Sequence, residues 1–220
     1  MVRMARQTAS SSPLNAVSLV PLQPTLVRLE QAASICQACD LWRNATQTVF
    51  GAGGASAVLM LVGEQPGVQE DVAGKPFIGP AGQLLDQALV DAGIAREKTY
   101  VTNVVKHFKW ISKGRLRLHQ TPNVQEIAAC RPWLDSEIAL VKPYVIVCLG
   151  ATAAQALLGK QFRVTRQRGE FVESPLAPFV IATLHPAAIL RMPDTRNRES
   201  AQRQFVDDLR KVAKQLKFHS

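Results

Sequence analysis

Short unbroken apolar runs alternate along the chain with stretches whose apolar residues recur every three or four positions, and the two patterns predict different elements. Ala57 to Val62 (AVLMLV) and Tyr144 to Leu149 (YVIVCL) each end at a glycine, the form expected of strands buried on both faces. Thr99 to Val105 and Phe179 to Leu184, rich in β-branched and aromatic residues, predict two further strands. Gly82 to Ala92, Asn123 to Val141 and Asn197 to Leu216 carry one-sided apolar stripes at helical spacing. Asn123, after Pro122, is placed to cap its helix, and Pro132 is expected to bend that helix or restart it. This alternation predicts an α/β protein, a three-layer α/β/α domain on a central, mostly parallel four-stranded sheet. Ligands should then gather beyond the carboxyl ends of the strands.

The residues that follow the predicted strands carry chemistry. Gly63-Glu64-Gln65-Pro66-Gly67 follows the first run, and Gly74 to Gly82 (GKPFIGPAG) comes shortly after. Glycines flanking a carboxylate let the backbone approach a ligand while Glu64 points into the crevice; an ordinary Gly/Pro turn has the same composition. Phe77, an aromatic among prolines and glycines, is a candidate stacking platform for a base. Asn103 lies at the end of the Thr99 to Val105 run and His185 just after the last strand, an amide and an imidazole suited to the edge of a flat heterocycle.

Charge and cysteine content narrow the class. Lys and Arg number 26 against 17 Asp and Glu, a formal net charge of +9. Five of these bases fall between Lys106 and His119 with no acid among them, a block that reads as phosphate binding or as a solvated loop. No stretch approaches the length of a membrane span, and no secretory apolar segment is present, so a cytoplasmic protein is expected. The first 29 residues hold no Asp or Glu and no sustained apolar period, so residues 1–24 are expected to be a mobile tail and 25–220 a single domain. The four cysteines, Cys36, Cys39, Cys130 and Cys148, form a CxxC pair plus two distant singles. Four thiolates can hold zinc or an iron-sulfur cluster. The lack of a second CxxC tilts toward a cluster that bridges distant elements, while a disulfide or inert buried thiols remain open.

Taken together, GEQPG, GKPFIGPAGQLL, TNVVKHFKW, LHPAAILR and the four cysteines resemble the iron-sulfur uracil-DNA glycosylases of family 4. Gln65 and the basic insertion KGRLRLH (Lys113 to His119) resemble, more narrowly, the UdgX class, whose members become covalently attached to uracil-containing DNA. The likeness runs from about Ile35 to Leu216. It implies a 4Fe-4S cluster on the four cysteines, uracil-containing DNA as partner, single-stranded in the first instance, and a monomer acting in DNA repair. It also implies that His185 donates to O2 of departing uracil, that Asn103 selects uracil over cytosine, and that Phe77 stacks on the flipped base. Gly63, Gln65 and Gly67 would complete the pocket. His119 would attack the sugar C1′, with Glu64 accepting a hydrogen bond from its other nitrogen, while Arg117 and Lys106 hold the basic loop and flanking phosphates. Two positions depart from the pattern: Leu116 stands where the class carries a base, and Val68 where an acid is common.

Overall fold

A computed structural model of the chain describes residues 15–218. Its strands are β1 (Leu59–Gly63), β2 (Thr99–Asn103), β3 (Trp110–Lys113), β4 (Leu116–His119), β5 (Val145–Leu149), β6 (Phe171–Val172) and β7 (Phe179–Thr183). Its α-helices are α1 (Leu26–Ala33), α2 (Val68–Ala73), α3 (Pro80–Ala92), α4 (Val124–Val141), α5 (Gly150–Leu158), α6 (Val164–Gln167), α7 (Pro186–Leu190) and α8 (Thr195–Leu216). The main sheet runs β2-β1-β5-β7-β6; β2, β1, β5 and β7 are parallel, and β6 pairs antiparallel with β7.

The sheet holds together because its strands are apolar on both faces. Met60, Val62, Ile146 and Cys148 pack toward α1 and α4 against Leu29, Trp133 and Leu134. Leu59, Leu61, Val145 and Val147 pack the other way, against Leu85 and Leu89 of α3 and Phe205, Leu209 and Val212 of α8. This period-two alternation buries two cores, one on each side, and each large side chain taken fully from water contributes about 1.5–3 kcal/mol. Local signals set the helix starts. The Asn123 side chain accepts the Glu126 N–H at 2.9 Å while Glu126 Oε2 accepts the Asn123 N–H at 2.7 Å, a reciprocal cap that stabilises α4 by about 1 kcal/mol. Pro80 sits in the first turn of α3, and the Asp194 side chain accepts the Asn197 N–H to start α8.

The sheet has five strands, not four. β6 spans only two residues and leaves no periodic signal in the sequence. β3 and β4 form a separate antiparallel hairpin in the segment that reads as a basic loop. α4 runs through Pro132 as one helix and does not restart there. The packed body also begins before residue 25. Ala16–Leu19 forms a short 3-10 turn with Ala16 fully buried in the core, whereas the expected tail at residues 1–14 lies outside the described residues.

Candidate active site

The carboxyl ends of β1, β2, β5 and β7 open into one cleft of about 680 Å³, where the layer topology places it. Glu64, Gln65, Gly67, Phe77, Asn103, Arg117, His119 and His185 all line this cleft. Gly63 stands just behind it. A Cβ at position 63 would run into the Asn103 amide oxygen and lie 2.7 Å from Phe77 Cζ, so only glycine leaves both side chains their places.

Phe77 is held in a costly conformation. Its φ of +56° lies in the left-handed region, a strain of order 1–3 kcal/mol for a non-glycine residue. Buried Glu70 offsets it by gathering the surrounding loops: Oε1 accepts the N–H groups of Ile78 (3.1 Å) and Gly79 (2.7 Å), and Oε2 accepts that of Gly67 (3.1 Å). Glu70 thereby ties the two glycine-rich motifs together. The sequence offers no sign of this role beyond an acid at a helix start.

Asn103 ends β2, buried, and its Oδ1 has no hydrogen-bond partner among the described residues. A buried carbonyl without a partner costs about 1–3 kcal/mol and marks a place where a ligand donor fits. His185 Nδ1 accepts the Ala187 N–H at 3.1 Å, which fixes the proton on Nε2. Burial pushes the His185 pKa down to about 4, so the ring is a neutral Nε2–H donor at physiological pH. The rings of Phe77 and His185 lie 28° from parallel with centroids 6.3 Å apart. Gly150, with φ +84°, lets the end of β5 approach the His185 Cβ closely.

On the other wall, His119 Nε2 lies 3.0 Å from Glu64 Oε1. The second Glu64 oxygen accepts a short hydrogen bond from Thr152 of α5. Burial pushes the Glu64 carboxyl up, but the bonds from His119 and Thr152 outweigh it and its pKa is lowered overall. Thr152, which the motifs do not single out, thus fixes the carboxylate that meets His119.

His119 reaches the cleft because β3 and β4 are pinned at several points. The Gln65 amide donates to the carbonyls of Lys109 (3.2 Å) and Gln120 (3.1 Å) and accepts the Lys109 N–H (2.9 Å), closing the base of the hairpin. Gln65 lines the cleft, and these three bonds go to the hairpin. Arg117 pairs with fully buried Asp71 at 3.0 Å and lies 4.7 Å over the Trp110 ring; Asp71 also accepts from the Thr46 N–H and hydroxyl. Arg117 therefore holds the hairpin. Lys106 does not. It is 1% exposed, and its ammonium pairs with Glu137 at 2.5 Å inside the protein, so it holds neither the hairpin nor a phosphate. Its Nζ reaches back to the Thr102 hydroxyl, the Asn103 carbonyl and Glu137, which together hold the side chain inside the protein.

Three of the four cysteines come together. The thiols of Cys36, Cys39 and Cys130 lie close enough to feel one another's charge; burial pushes Cys130 up to about 12. Trp133 Nε1–H points at Cys36 Sγ (3.4 Å) and the Lys106 N–H at Cys130 Sγ (3.3 Å), the kind of donors that stabilise ligating thiolates. Cys148 stands apart, fully buried within β5, with burial alone acting on its thiol and pushing it to about 12. Among the described residues, no three His, Cys, Asp or Glu side chains close around a point that could hold a metal ion. Three of the four thiols are thus neighbours without closing around a metal, and Cys148 shows no interaction with them.

Residues 50–210 match the Uracil DNA glycosylase superfamily. The chain therefore belongs to the uracil-DNA glycosylase superfamily. Within it, the chain is similar to the Type-4 uracil-DNA glycosylase of Thermotoga maritima, 39% identical over 184 residues that cover 83% of this chain and 90% of the relative. It is likewise similar to the Type-4 enzymes of Pyrobaculum aerophilum (36% identical, covering 78% and 87%) and Archaeoglobus fulgidus (35% identical, covering 80% and 86%).

Proposed function

We propose that this protein is a uracil-DNA glycosylase that draws a uracil out of DNA, cuts its glycosidic bond, and captures the sugar through His119. The observation that carries the reading is the cleft in which the unpaired Asn103 Oδ1 and the neutral His185 Nε2–H share one wall while His119 and Glu64 share another. Uracil offers an N3–H donor and an O4 acceptor, matching the Asn103 oxygen and amide nitrogen; cytosine reverses both. Breaking the C1′–N1 bond sends its electron pair out with the base, and the Nε2–H of His185 stabilises the anion at O2. Positive charge then builds on the sugar, where the Glu64 carboxylate can offset it. A neutral His119 nitrogen adds its lone pair to C1′, forming an N–C bond, while the other nitrogen keeps its proton and its contact with Glu64. The similarity to Type-4 enzymes supports excision, and the hairpin that carries His119 to the cleft supports capture.

Capture is read on a denaturing gel after mixing with a uracil-containing single strand. The parent should give a heat-stable shifted band. His119→Ser, which removes the nitrogen and admits water, should lose that band and leave a free abasic strand instead. A covalent band from the variant would assign the attack to another residue, and abasic product from the parent would make this a turnover glycosylase.

We propose also that Cys36, Cys39 and Cys130 supply thiolates to a 4Fe-4S cluster, which when bound would tie the segment after α1 to α4. Cys148, committed to the interior of β5, leaves the fourth position to another donor. Anaerobically purified protein should be brown with about four irons per chain, and Cys148→Ala should keep them. A colourless protein carrying one zinc would overturn the assignment.

A further inference from the structure

We infer that Lys106 and Glu137 are positioning residues that set the angle at which Asn103 presents its amide to the base, an inference that rests on the glycosylase reading above. The Asn103 Oδ1 has no hydrogen-bond partner among the described residues, so apart from packing beside Gly63 its direction is set by the backbone that carries it. That backbone is fixed from two directions. On one side the Val104 N–H donates to the Gly63 carbonyl at 2.9 Å and the Val105 N–H to the Glu64 carbonyl at 3.1 Å, extending the β1–β2 pairing past its last residue. On the other, the Lys106 side chain doubles back and donates from Nζ to the carbonyl of Asn103 itself at 2.8 Å.

The remaining Nζ bonds anchor this contact. They go to Thr102 Oγ1 and Glu137 Oε2, each at 2.5 Å, which uses all three ammonium protons. Glu137 in turn accepts from the Gly51 N–H (3.1 Å), the Tyr100 hydroxyl (2.9 Å) and the Thr102 hydroxyl (3.0 Å). Lys106 is 1% exposed and Glu137 is fully buried. Burying two charges costs several kcal/mol for each ion before their attraction repays it, and an apolar pair of similar volume often gives equal stability. Stability alone therefore does not account for the pair. Directionality does, because a methylene cannot grip a carbonyl and an ammonium with fixed anchors can. Rotation of the Asn103 peptide would swing the side chain out of the slot between Gly63 and Phe77, and the Lys106 contact opposes that rotation.

The test removes both charges at once, in Lys106→Met with Glu137→Gln, because removing one would strand the other in the core. Uracil release is measured in single turnover at saturating DNA, together with the ratio of uracil to cytosine release and the binding of a uracil-free strand. The expected double variant melts cooperatively and binds the uracil-free strand like the parent. It releases uracil at least tenfold more slowly, and its preference for uracil over cytosine falls. A loss of packing alone would not change that preference. A folded double variant with the parent's rate and preference would overturn the inference. Should the double variant not fold, Thr102→Val, which keeps the side-chain shape and removes one anchor, decides by the same rate and ratio: a several-fold loss in both upholds the inference and parental values overturn it. A parent that releases no uracil would sink the glycosylase reading itself, a result distinct from either.

Discussion

Asn103, Phe77 and Gly63 occupy one another's limits, and the tolerance of the cleft is set by single atoms. Adding one methyl at position 63 drives into the Asn103 amide oxygen, so the Gly63→Ala protein should keep its fold and lose uracil release by about a hundredfold, roughly the 3 kcal/mol that one misplaced transition-state contact costs. A single-turnover rate measured beside a melting curve checks this; parental activity would put the base elsewhere. A second prediction concerns acid. Burial lowers His107 and His185 to about 4 from an ordinary value of 6.5. The unfolded chain therefore binds protons that the folded one refuses between those values. The stabilisation from keeping both rings neutral is complete above about 6.5 and is lost as pH falls toward 4. The melting temperature should drop across that window, and more gently in His185→Asn; an equal slope in the two proteins would deny His185 its share. Asn103 and His185 stood out because a polar side chain accompanies an apolar run, whereas His119 stood out only through the basic insertion KGRLRLH and the likeness that it carries. The sequence hid Glu70, Thr152 and Glu137, whose roles arise from contacts between segments and leave no local pattern.

At the scale of elements, the β3–β4 hairpin decides whether His119 faces the cleft. Its β4 residues are exposed and β3 is little better covered, so no apolar period betrays either strand. One signal was legible: Gly114, with φ +62°, is the first of two residues between Lys113 and Leu116, the place a type II′ hairpin turn gives to glycine. With no apolar face beneath it, the hairpin depends on the Gln65 amide, on Arg117 with Asp71 and on the Trp110 Nε1–H bond to the Asn44 carbonyl at 2.9 Å. Arg117 is 37% exposed, but Asp71 is fully buried and would keep only its Thr46 donors, so Arg117→Met should cost on the order of 1–3 kcal/mol of global stability. The local effect should be larger. Amide exchange at Leu116 to His119 should quicken and capture of the sugar should slow, while uracil release, which relies on the opposite wall, persists. If capture keeps the parental rate, Gln65 and the Trp110 bond to the Asn44 carbonyl are sufficient to orient the hairpin. Pro132 teaches the converse about reading elements: a helix interior packed through Trp133, Leu134 and Ile138 overrides the local breaker.

For the whole molecule, the apolar runs made the parallel sheet legible, since strands buried on both faces favour near-continuous apolar residues, with β2 (TYVTN) the most polar of them. The basic block from Lys106 to His119 divides between paired and solvent-facing cations. Of the five Lys and Arg from Lys106 to Arg117, Lys106 is buried against Glu137, Lys109 pairs with Glu126 at 2.9 Å, and Arg117 is held by Asp71. Charge counted along a sequence does not distinguish a cation facing solvent from one already neutralised. Lys113 and Arg115, exposed at the hairpin turn, carry no ion pair among the described residues and remain to meet phosphates. Each phosphate neutralised on a single strand contributes about −0.7 to the slope of log affinity against log salt. Replacing both residues with Gln should therefore flatten that slope by about 1.4 for a uracil-free strand. Replacing Lys109 should change it little, because its charge is shared with Glu126. Binding should weaken most at low salt and converge with the parent as salt rises, since the lost contacts are those that salt already screens. A double variant with an unchanged slope would move the phosphate path off the hairpin and onto another basic face of this +9 chain.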